Sequence, residues 1–401
     1  MNRIERMLQE LCPEGVEYRK LGEVLDYEQP TKYIVKDTGY DDSYQTPVLT
    51  AGQSFILGYT NEQNGIYEAS KDNPTIIFDD FTCSFHWVDF SFKVKSSAMK
   101  MLRPINGKRI SFKYVYYAMA CIGFIPIDHA RHWISKYSLF EIPVPPLPIQ
   151  EEIVRILDHF TELTAELQAE LQARQEQYEY YRNKLLTFTK IGGGTQSVTW
   201  MRMSEILVSI RTGLNPRRFF KLNTPDARNY YVTIREIKGG RLCFSEKTDR
   251  INNEALKLCN NRSNLEIGDV LFSGTGTIGE TFVITENPTN WNIKEGVYSL
   301  KTKKEIINPS YLRYILMAKH IRDSYMAKVE GGTVKSISMK LLGDLKIPVP
   351  SLSKQQSIVS ILDKFETLVN DLSQGLPAEI AAVQEQYEFY RNKLLTFKRI
   401  A

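Results

Sequence analysis

Apolar residues recur at three- and four-residue steps through two long stretches of this sequence. In the first they are Ile153, Ile156, Phe160, Leu163, Leu167, Leu171, Tyr178, Tyr181, Leu185 and Phe188. In the second they are Ile358, Ile361, Phe365, Leu368, Leu372, Leu376, Ile380, Val383, Tyr387, Tyr390, Leu394 and Phe397. That spacing keeps one face of a helix apolar and predicts two helices, the first of about 39 residues and so roughly 58 Å long. Helices of that length with a narrow apolar seam bury it best against each other, as a coiled coil. The stretch Gln-Glu-Gln-Tyr-Glu-Tyr-Tyr-Arg-Asn-Lys-Leu-Leu-Thr-Phe at 175–188 returns almost unchanged at 384–397, with Phe389 in its aromatic cluster. The chain is therefore built twice, and the repeat is too long for a solenoid unit.

Between the helices the pattern changes to short runs of β-branched and aromatic residues. Residues 75–78 and 90–95 read as strands in the first half, followed by a helix over 112–121. In the second half 230–234, 269–273, 281–284 and 296–300 read as strands. A helix is expected there from Asn308 as N-cap and Pro309 at the first position to about Lys328, stopping at Gly331-Gly332. A short amphipathic helix should precede Cys12-Pro13-Glu14-Gly15. Both halves open alike, at 16–25 and 198–207, and close alike, Ile142-Pro143-Val144-Pro145-Pro146-Leu147 matching Ile347-Pro348-Val349-Pro350-Ser351-Leu352. Proline cannot continue a helix, so each exit marks a boundary. Ile142 and Ile347 stand 205 positions apart but Gln175 and Gln384 stand 209 apart, which puts four extra residues near Gly375-Leu376-Pro377. One helix ending and another starting, or a kink, would account for them. In the first helix Thr164-Ala165-Glu166-Leu167 and Gln168-Ala169-Glu170-Leu171 form a tandem four-residue repeat, a stutter in the heptad.

Composition adds little until it is divided. The 401 residues are 42% hydrophobic and 24% charged, as in an ordinary globular protein of two or three domains. No apolar run reaches the roughly 18 residues of a membrane span and Met1 to Glu10 has no signal-peptide core, so a cytoplasmic protein is expected. Five scattered cysteines form no Cys-x-x-Cys pair. The net charge is +4, but residues 199–346 hold 24 Lys and Arg against 15 Asp and Glu, whereas 1–149 hold 16 against 18. A basic excess confined to one globular half is the footprint of a polyanion binder.

Candidate chemistry is sparse. Gly274-Thr275-Gly276-Thr277-Ile278-Gly279 matches the dinucleotide fingerprint, but the residues after it read as a strand, whereas a nucleotide site needs a helix there. A glycine-rich turn between strands fits better, and its Ser273, Thr275 and Thr277 would let backbone approach phosphate. His129 and His132 lack the third and fourth ligands of a metal site, and with Arg131 and Trp133 they suit nucleic-acid contact or a plain surface loop. Asp79-Asp80 reads as a pair of turn carboxylates. No phosphate loop, nucleophile elbow or amino-methyltransferase motif occurs, so no catalytic or metal residue is assigned.

Taken together, the repeated Ile-Pro-Val-Pro-x-Leu before a long helix, the repeated Gln-Tyr-Glu-[Tyr/Phe]-Tyr-Arg-Asn-Lys-Leu-Leu-Thr-Phe and the Thr-Ala-Glu-Leu tetrapeptide resemble one family over essentially the whole chain: the specificity subunits of type I restriction-modification systems. Phe78-Asp79-Asp80-Phe81, residues 92–97 and residues 268–279 are similar to segments of that family's target recognition domains. The resemblance implies an α+β chain with pseudo-two-fold duplication: target recognition domains at 1–149 and 191–350, and spacer helices at 150–190 and 351–401 paired as an antiparallel coiled coil. Phe160, Leu167, Leu171, Tyr178, Tyr181, Phe365, Leu372, Tyr387 and Tyr390 would form the seam. It further implies that each domain reads half of a bipartite sequence in double-stranded DNA while the helices fix the unread spacer. Partners would be two methyltransferase subunits and restriction/translocase subunits, which would use S-adenosylmethionine, ATP and Mg; this chain would bind no cofactor and catalyse nothing. Basic side chains suited to phosphate contact are Lys93, Lys95, Arg217, Arg218, Lys221, Arg241 and Lys335, with Arg131, His132, Ser273, Thr275 and Thr277 nearer the bases. A stand-alone DNA-binding regulator would share the same heads and helices; an NAD-dependent enzyme would not.

Overall fold

The computed structural model describes all residues except 1–2, 53, 106, 108, 129, 189–197, 330–334, 371–374 and 401. The chain divides into two compact units, the first comprising residues 1–166 with 380–401 and the second residues 167–379.

In the first unit helix α1 (Arg3–Leu11) is followed by strands β1 (Glu17–Lys20), β2 (Leu25–Glu28), β3 (Thr46–Leu49), β4 (Ile56–Thr60), β5 (Thr75–Asp79), β6 (Phe85–Val88), β7 (Lys93–Val94) and β8 (Met99–Pro104). Helix α2 (Phe112–Met119), strand β9 (Glu141–Val144) and the long helix α3 (Leu147–Leu186) complete it, with α3 running on into the second unit. A four-stranded sheet of order β2-β8-β5-β6 stands beside a three-stranded sheet β4-β3-β7. Ile76, Phe78 and Leu102 pack against α2 with Val115, Tyr117 and Met119, while Ile77, Met99 and Met101 face Leu49, Phe92 and Val94. The alternation of strand side chains thus supplies two apolar layers from one sheet.

In the second unit come β10 (Thr199–Arg202), β11 (Leu207–Thr212), β12 (Asn229–Val232), β13 (Ile237–Lys238), β14 (Arg241–Leu242) and β15 (Arg250–Ile251). Helix α4 (Asn253–Ser263) leads to β16 (Val270–Ser273), β17 (Thr281–Val283), β18 (Trp291–Ile293) and β19 (Val297–Thr302). Helices α5 (Pro309–Met317) and α6 (Lys319–Met326), strand β20 (Lys346–Val349), and helices α7 (Leu352–Asn370) and α8 (Leu376–Leu394) follow, α8 belonging mostly to the first unit. The sheets β11-β19-β16-β17 and β15-β12-β18 repeat the order and direction of their counterparts, so the two globular parts share one topology. The β13–β14 hairpin and α4 are additions of the second.

Entrance and exit of each globular part pair with each other. β1 runs antiparallel to β9, Glu17 opposite Val144, and β10 runs antiparallel to β20, Thr199 opposite Val349. The proline exits are thus edge strands, where a missing N–H is tolerated. Tyr114 Oη donates to Pro143 O at 3.0 Å and Tyr311 Oη to Pro348 O at 2.9 Å. A fully buried glutamine in the first turn of each following helix then locks the junction. Gln150 accepts from Ser111 N and donates to Pro145 O; Gln355 accepts from Asn308 N and donates to Pro350 O and Ile306 O.

Two helical expectations are corrected, and the break expected near Gly375-Leu376-Pro377 takes the form of one helix ending and another starting. The helix from Pro309 is interrupted at Ala318, whose extended backbone (ψ 133°) ends α5 and starts α6. The side chain of Asn183 accepts from Lys319 N and so caps the new start, a long-range contact that no local pattern reports. The second long helix comes as α7 and α8, with Pro377 in the first turn of α8, where proline is tolerated. On α7 the buried stripe is Ile358, Val359, Leu362 and Val369, whereas the seam positions Ile361 and Leu368 are 43% and 37% exposed. Leu372 and the Gly331-Gly332 stop lie outside the described residues.

The repeated motif has a definite place. In the first unit Phe160 of α3 stacks with Tyr390 of α8, centroids 5.6 Å apart and planes at 24°, and Tyr387 meets Tyr117. Phe397 O accepts from Tyr18 Oη, and Arg399 pairs with Glu141 beside the start of α3, so α8 runs antiparallel to α3. In the second unit Phe365 of α7 stacks with Tyr181 at the same 5.6 Å and 24°, with Tyr178 behind it. Each motif therefore packs on the helix start that follows the other repeat's globular part. Leu167 and Leu171 are half-buried.

Candidate nucleic-acid interface

In the second unit four loops converge at one end of the β11-β19-β16-β17 sheet. Thr212, the last residue of β11, donates its hydroxyl to Val297 O at 3.0 Å and accepts from Gly296 N at 3.1 Å. Gly274 N donates to Gly296 O at 2.8 Å, which ties the β16–β17 turn to the β18–β19 turn. Gly276 N donates to Lys335 O and Ile337 N to Gly274 O, each at 2.9 Å, bringing in the segment before β20. The fingerprint-like glycines thus form a turn between strands. Ser273 is buried and holds that turn, donating to Thr277 O at 2.6 Å and accepting from Glu280 N at 2.8 Å. Thr275 is half-buried and bridges to Ser336, and Thr277 and Lys335 are exposed.

From the same end of β11 the chain continues into a single helical turn, Pro216–Phe219, capped by Asn215 Oδ1 on Arg217 N at 3.0 Å. Tyr231 Oη anchors its base on Leu214 O. Arg217, Arg218 and Lys221 are exposed and Phe219 is 53% exposed, so this turn presents cations around an uncovered ring. Arg241 is exposed on the β13–β14 hairpin.

The first unit builds the equivalent end differently. In β5 and β8 Phe78 lies opposite Lys100, where β16 and β19 have Phe272 opposite Tyr298. Asp80 therefore corresponds to Gly274, and His132 N donates to Asp80 O just as Ile337 N donates to Gly274 O. Tyr298 covers Gly274 so closely that a Cβ there would collide with its ring, and its hydroxyl donates to Ile337 O at 2.7 Å. In place of that ring the first unit has a buried ion pair, Lys100 Nζ to Asp80 Oδ2 at 3.0 Å, with Lys100 also 4.7 Å over the Tyr27 ring. Asp80 Oδ1 accepts from Trp133 N at 2.8 Å. The loop carrying Arg131 thus hangs from Asp80, through both its carbonyl and its buried carboxylate. Asp79 is a turn carboxylate, accepting from Phe81 N and Thr82 N. The Cys83 thiol beside them is pushed up to about 11 by burial and the two aspartates.

Several sequence candidates land elsewhere than on the surface. Lys93 is buried, its ammonium bound to Glu62 at 2.9 Å and to Asn64 O and Gly65 O; it is a structural cation and is corrected as a phosphate contact. His132 is fully buried, with Nε2 3.1 Å from Asp128 Oδ1 and its ring edge-on to Phe124, so it supports the loop and cannot face a base edge. His129 lies outside the described residues. Lys95 is exposed with its ammonium near Tyr40, and Arg131 is exposed. Sequence reasoning missed Lys100, although a lysine inside Met99-Lys100-Met101-Leu102 could have signalled a buried charge. It missed both glutamine latches, for which only the equal spacing from the proline exits gave a hint. Among the described residues no cluster of three His, Cys, Asp or Glu could hold a metal, and no helix is long and apolar enough to cross a membrane.

A family model described as the type I restriction modification DNA specificity domain matches residues 13–177 and again residues 214–382. The chain belongs to that DNA specificity family. It is 40% identical to the type I restriction enzyme EcoR124I/EcoR124II specificity subunit of Escherichia coli, over 96% of this chain and 95% of that protein. A type I specificity subunit named as putative in Haemophilus influenzae is 30% identical over 95% and 96%. Among solved structures, the type I restriction-modification S subunit from M. genitalium matches with a TM-score of 0.56 at 15% identity, covering 95% of this chain and 96% of that one. A chain from a study of complex assembly and conformational transition of the type I system matches at 0.55 and 17% identity, covering 96% and 98%. The likeness to those structures is one of fold. Family membership makes recognition of DNA sequence the role of the chain, and the two matches to the family model fall on its two repeats.

Proposed function

We propose that the chain is the DNA-reading component of a type I restriction-modification complex, in which each globular part reads one half of a bipartite target and the helices set the unread spacer. Two methyltransferase subunits using S-adenosylmethionine, and restriction/translocase subunits using ATP and Mg, carry the chemistry. The observation that carries this reading is one topology built twice with different loop residues at the same sheet end: cations and threonines in the second unit, Arg131 above a buried ion pair in the first. A common scaffold with divergent loops is what two readers of two different half-sites require, since base edges specify and phosphates only position. Lys95, Arg217, Arg218, Lys221 and Lys335 serve as phosphate contacts, with Arg131, Thr275 and Thr277 nearer the bases.

The test is methylome sequencing of a host expressing this chain with its cognate methyltransferase. A single bipartite adenine-methylated motif is expected, and exchanging residues 199–346 for those of a relative should change one half only. A one-part motif, or change in both halves on that exchange, overturns the proposal.

A further inference from the structure

A cavity of about 180 Å³ lies within the second unit where the end of α3, the β13–β14 hairpin, the residues after the glycine turn and α6 meet. Arg182, Arg322, Tyr325 and Gly279 line it, with two carboxylates, Glu179 and Glu280. Tyr325 is fully buried and its hydroxyl has no hydrogen-bond partner; the Nε–H of Arg182 is buried and equally unpartnered. Buried donors are ordinarily matched, and leaving one unmade is costly. Two of them on one polar cavity describe a place shaped for an acceptor. Gly279 belongs to the arrangement: its φ is +98°, and a Cβ there would occupy the position of the Tyr325 hydroxyl. The last glycine of the fingerprint-like turn therefore makes room for a buried phenol.

We propose that this cavity binds inorganic phosphate, with Arg182 and Arg322 providing charge and Tyr325 an O–H donor. Guanidinium groups present planar N–H forks that match phosphate oxygens. Burial, opposed by Arg322 and assisted by Glu280, pushes the Tyr325 phenol up to about 12, so it remains a donor throughout the neutral range. Glu280 gives the site its selectivity, because a carboxylate can accept from the P–OH of a monoanionic phosphate but repels a fully ionised tetrahedral anion. Sulfate has the same shape and no such hydroxyl near neutrality. The site is independent of base reading by the loops.

The test is thermal unfolding and calorimetry of the full chain at constant ionic strength, with sodium chloride replaced in part by sodium phosphate or sodium sulfate. Phosphate should raise the melting temperature more than sulfate does. Phosphate affinity should fall at least tenfold in R182Q/R322Q and measurably in Y325F, which loses only an unpartnered hydroxyl and should fold as well as the parent. E280Q should bring sulfate binding up to that of phosphate. Identical melting in phosphate and chloride, or undiminished phosphate binding in R182Q/R322Q, overturns the proposal. Titration with duplex DNA separates the sources: simultaneous binding supports free phosphate as the ligand, whereas competition assigns the cavity to a backbone phosphodiester and overturns the role given to Glu280.

Discussion

Replacing Asp80 by glycine should be among the most damaging single changes in the first globular part, and replacing Lys100 by tyrosine at the same time should rescue it. Asp80 and Lys100 side chains are 1% and 2% exposed and meet at 3.0 Å. In D80G the ammonium stays buried with the Tyr27 ring as its only close compensation, and Trp133 N is left without its acceptor. Breaking a buried ion pair by removing one partner costs about 3–5 kcal/mol. K100Y alone strands the carboxylate and should cost a similar amount. The double variant installs the pair that the second unit uses at the same register, a tyrosine ring over glycine, and removes both charges. Its cost should fall to about 3 kcal/mol, shared among the entropy of an added glycine, imperfect packing of the ring and the Trp133 N–H still without an acceptor. The coupling between the two sites should therefore exceed about 3 kcal/mol. Urea unfolding followed by hydrogen exchange in peptides spanning 76–80 and 132–137 reads these energies locally. A D80G stability within about 1 kcal/mol of the parent, or a double variant that costs the sum of the singles, would show that the pair does not hold this end of the sheet. Because the Arg131 loop hangs from Asp80, D80G should also blur methylation at one half-site and leave the other sharp.

Three further outcomes rest on the same geometry. Converting Arg217, Arg218 and Lys221 to glutamine should weaken DNA binding nearly uniformly across sequences and reduce the salt slope by about 0.9 for each phosphate no longer neutralised, measured by fluorescence anisotropy across a salt series; an unchanged slope removes that turn from the interface. Gln355→Ala should destabilise more than Gln150→Ala in chemical unfolding, since it strands partners at Asn308, Ile306 and Pro350 against two for Gln150, each orphan costing about 1–3 kcal/mol; the reverse order would contradict the latch. Deleting residues 168–171 removes one helical turn, about 6 Å of rise, and with about 3.4 Å per base pair should shorten the spacer by one to two base pairs; methylome sequencing showing altered half-sites at unchanged spacing would refute it.

What the sequence made legible, and what it hid, follows the range of the forces involved. Local signals carried far: the N-cap at Asn308 with Pro309 behind it, the helix at 112–119 and the strands flanking the glycine turn all follow from neighbours in the chain. So did the duplication, because the motif ending in Asn-Lys-Leu-Leu is spelled out twice. Long-range satisfaction stayed hidden. Ala318 breaks a helix because Asn183, 136 positions away, caps Lys319. Lys93 and Lys100 look like surface cations until Glu62 and Asp80 are found to be buried with them or beside them. The apolar seams predict a partner helix, yet Ile153 and Ile358 are fully covered within the globular cores while Ile361 is exposed. Periodicity reports that a helix has an apolar face but not which neighbour takes it, and here the helix starts lean first on their own globular part. The stacks of Phe160 on Tyr390 and Phe365 on Tyr181 then show what the repeated motif is for. Each copy closes the unit built on the other repeat, so neither half of the chain can complete its own helix packing, and the near-identical spelling of the two copies reflects one shared binding groove made twice.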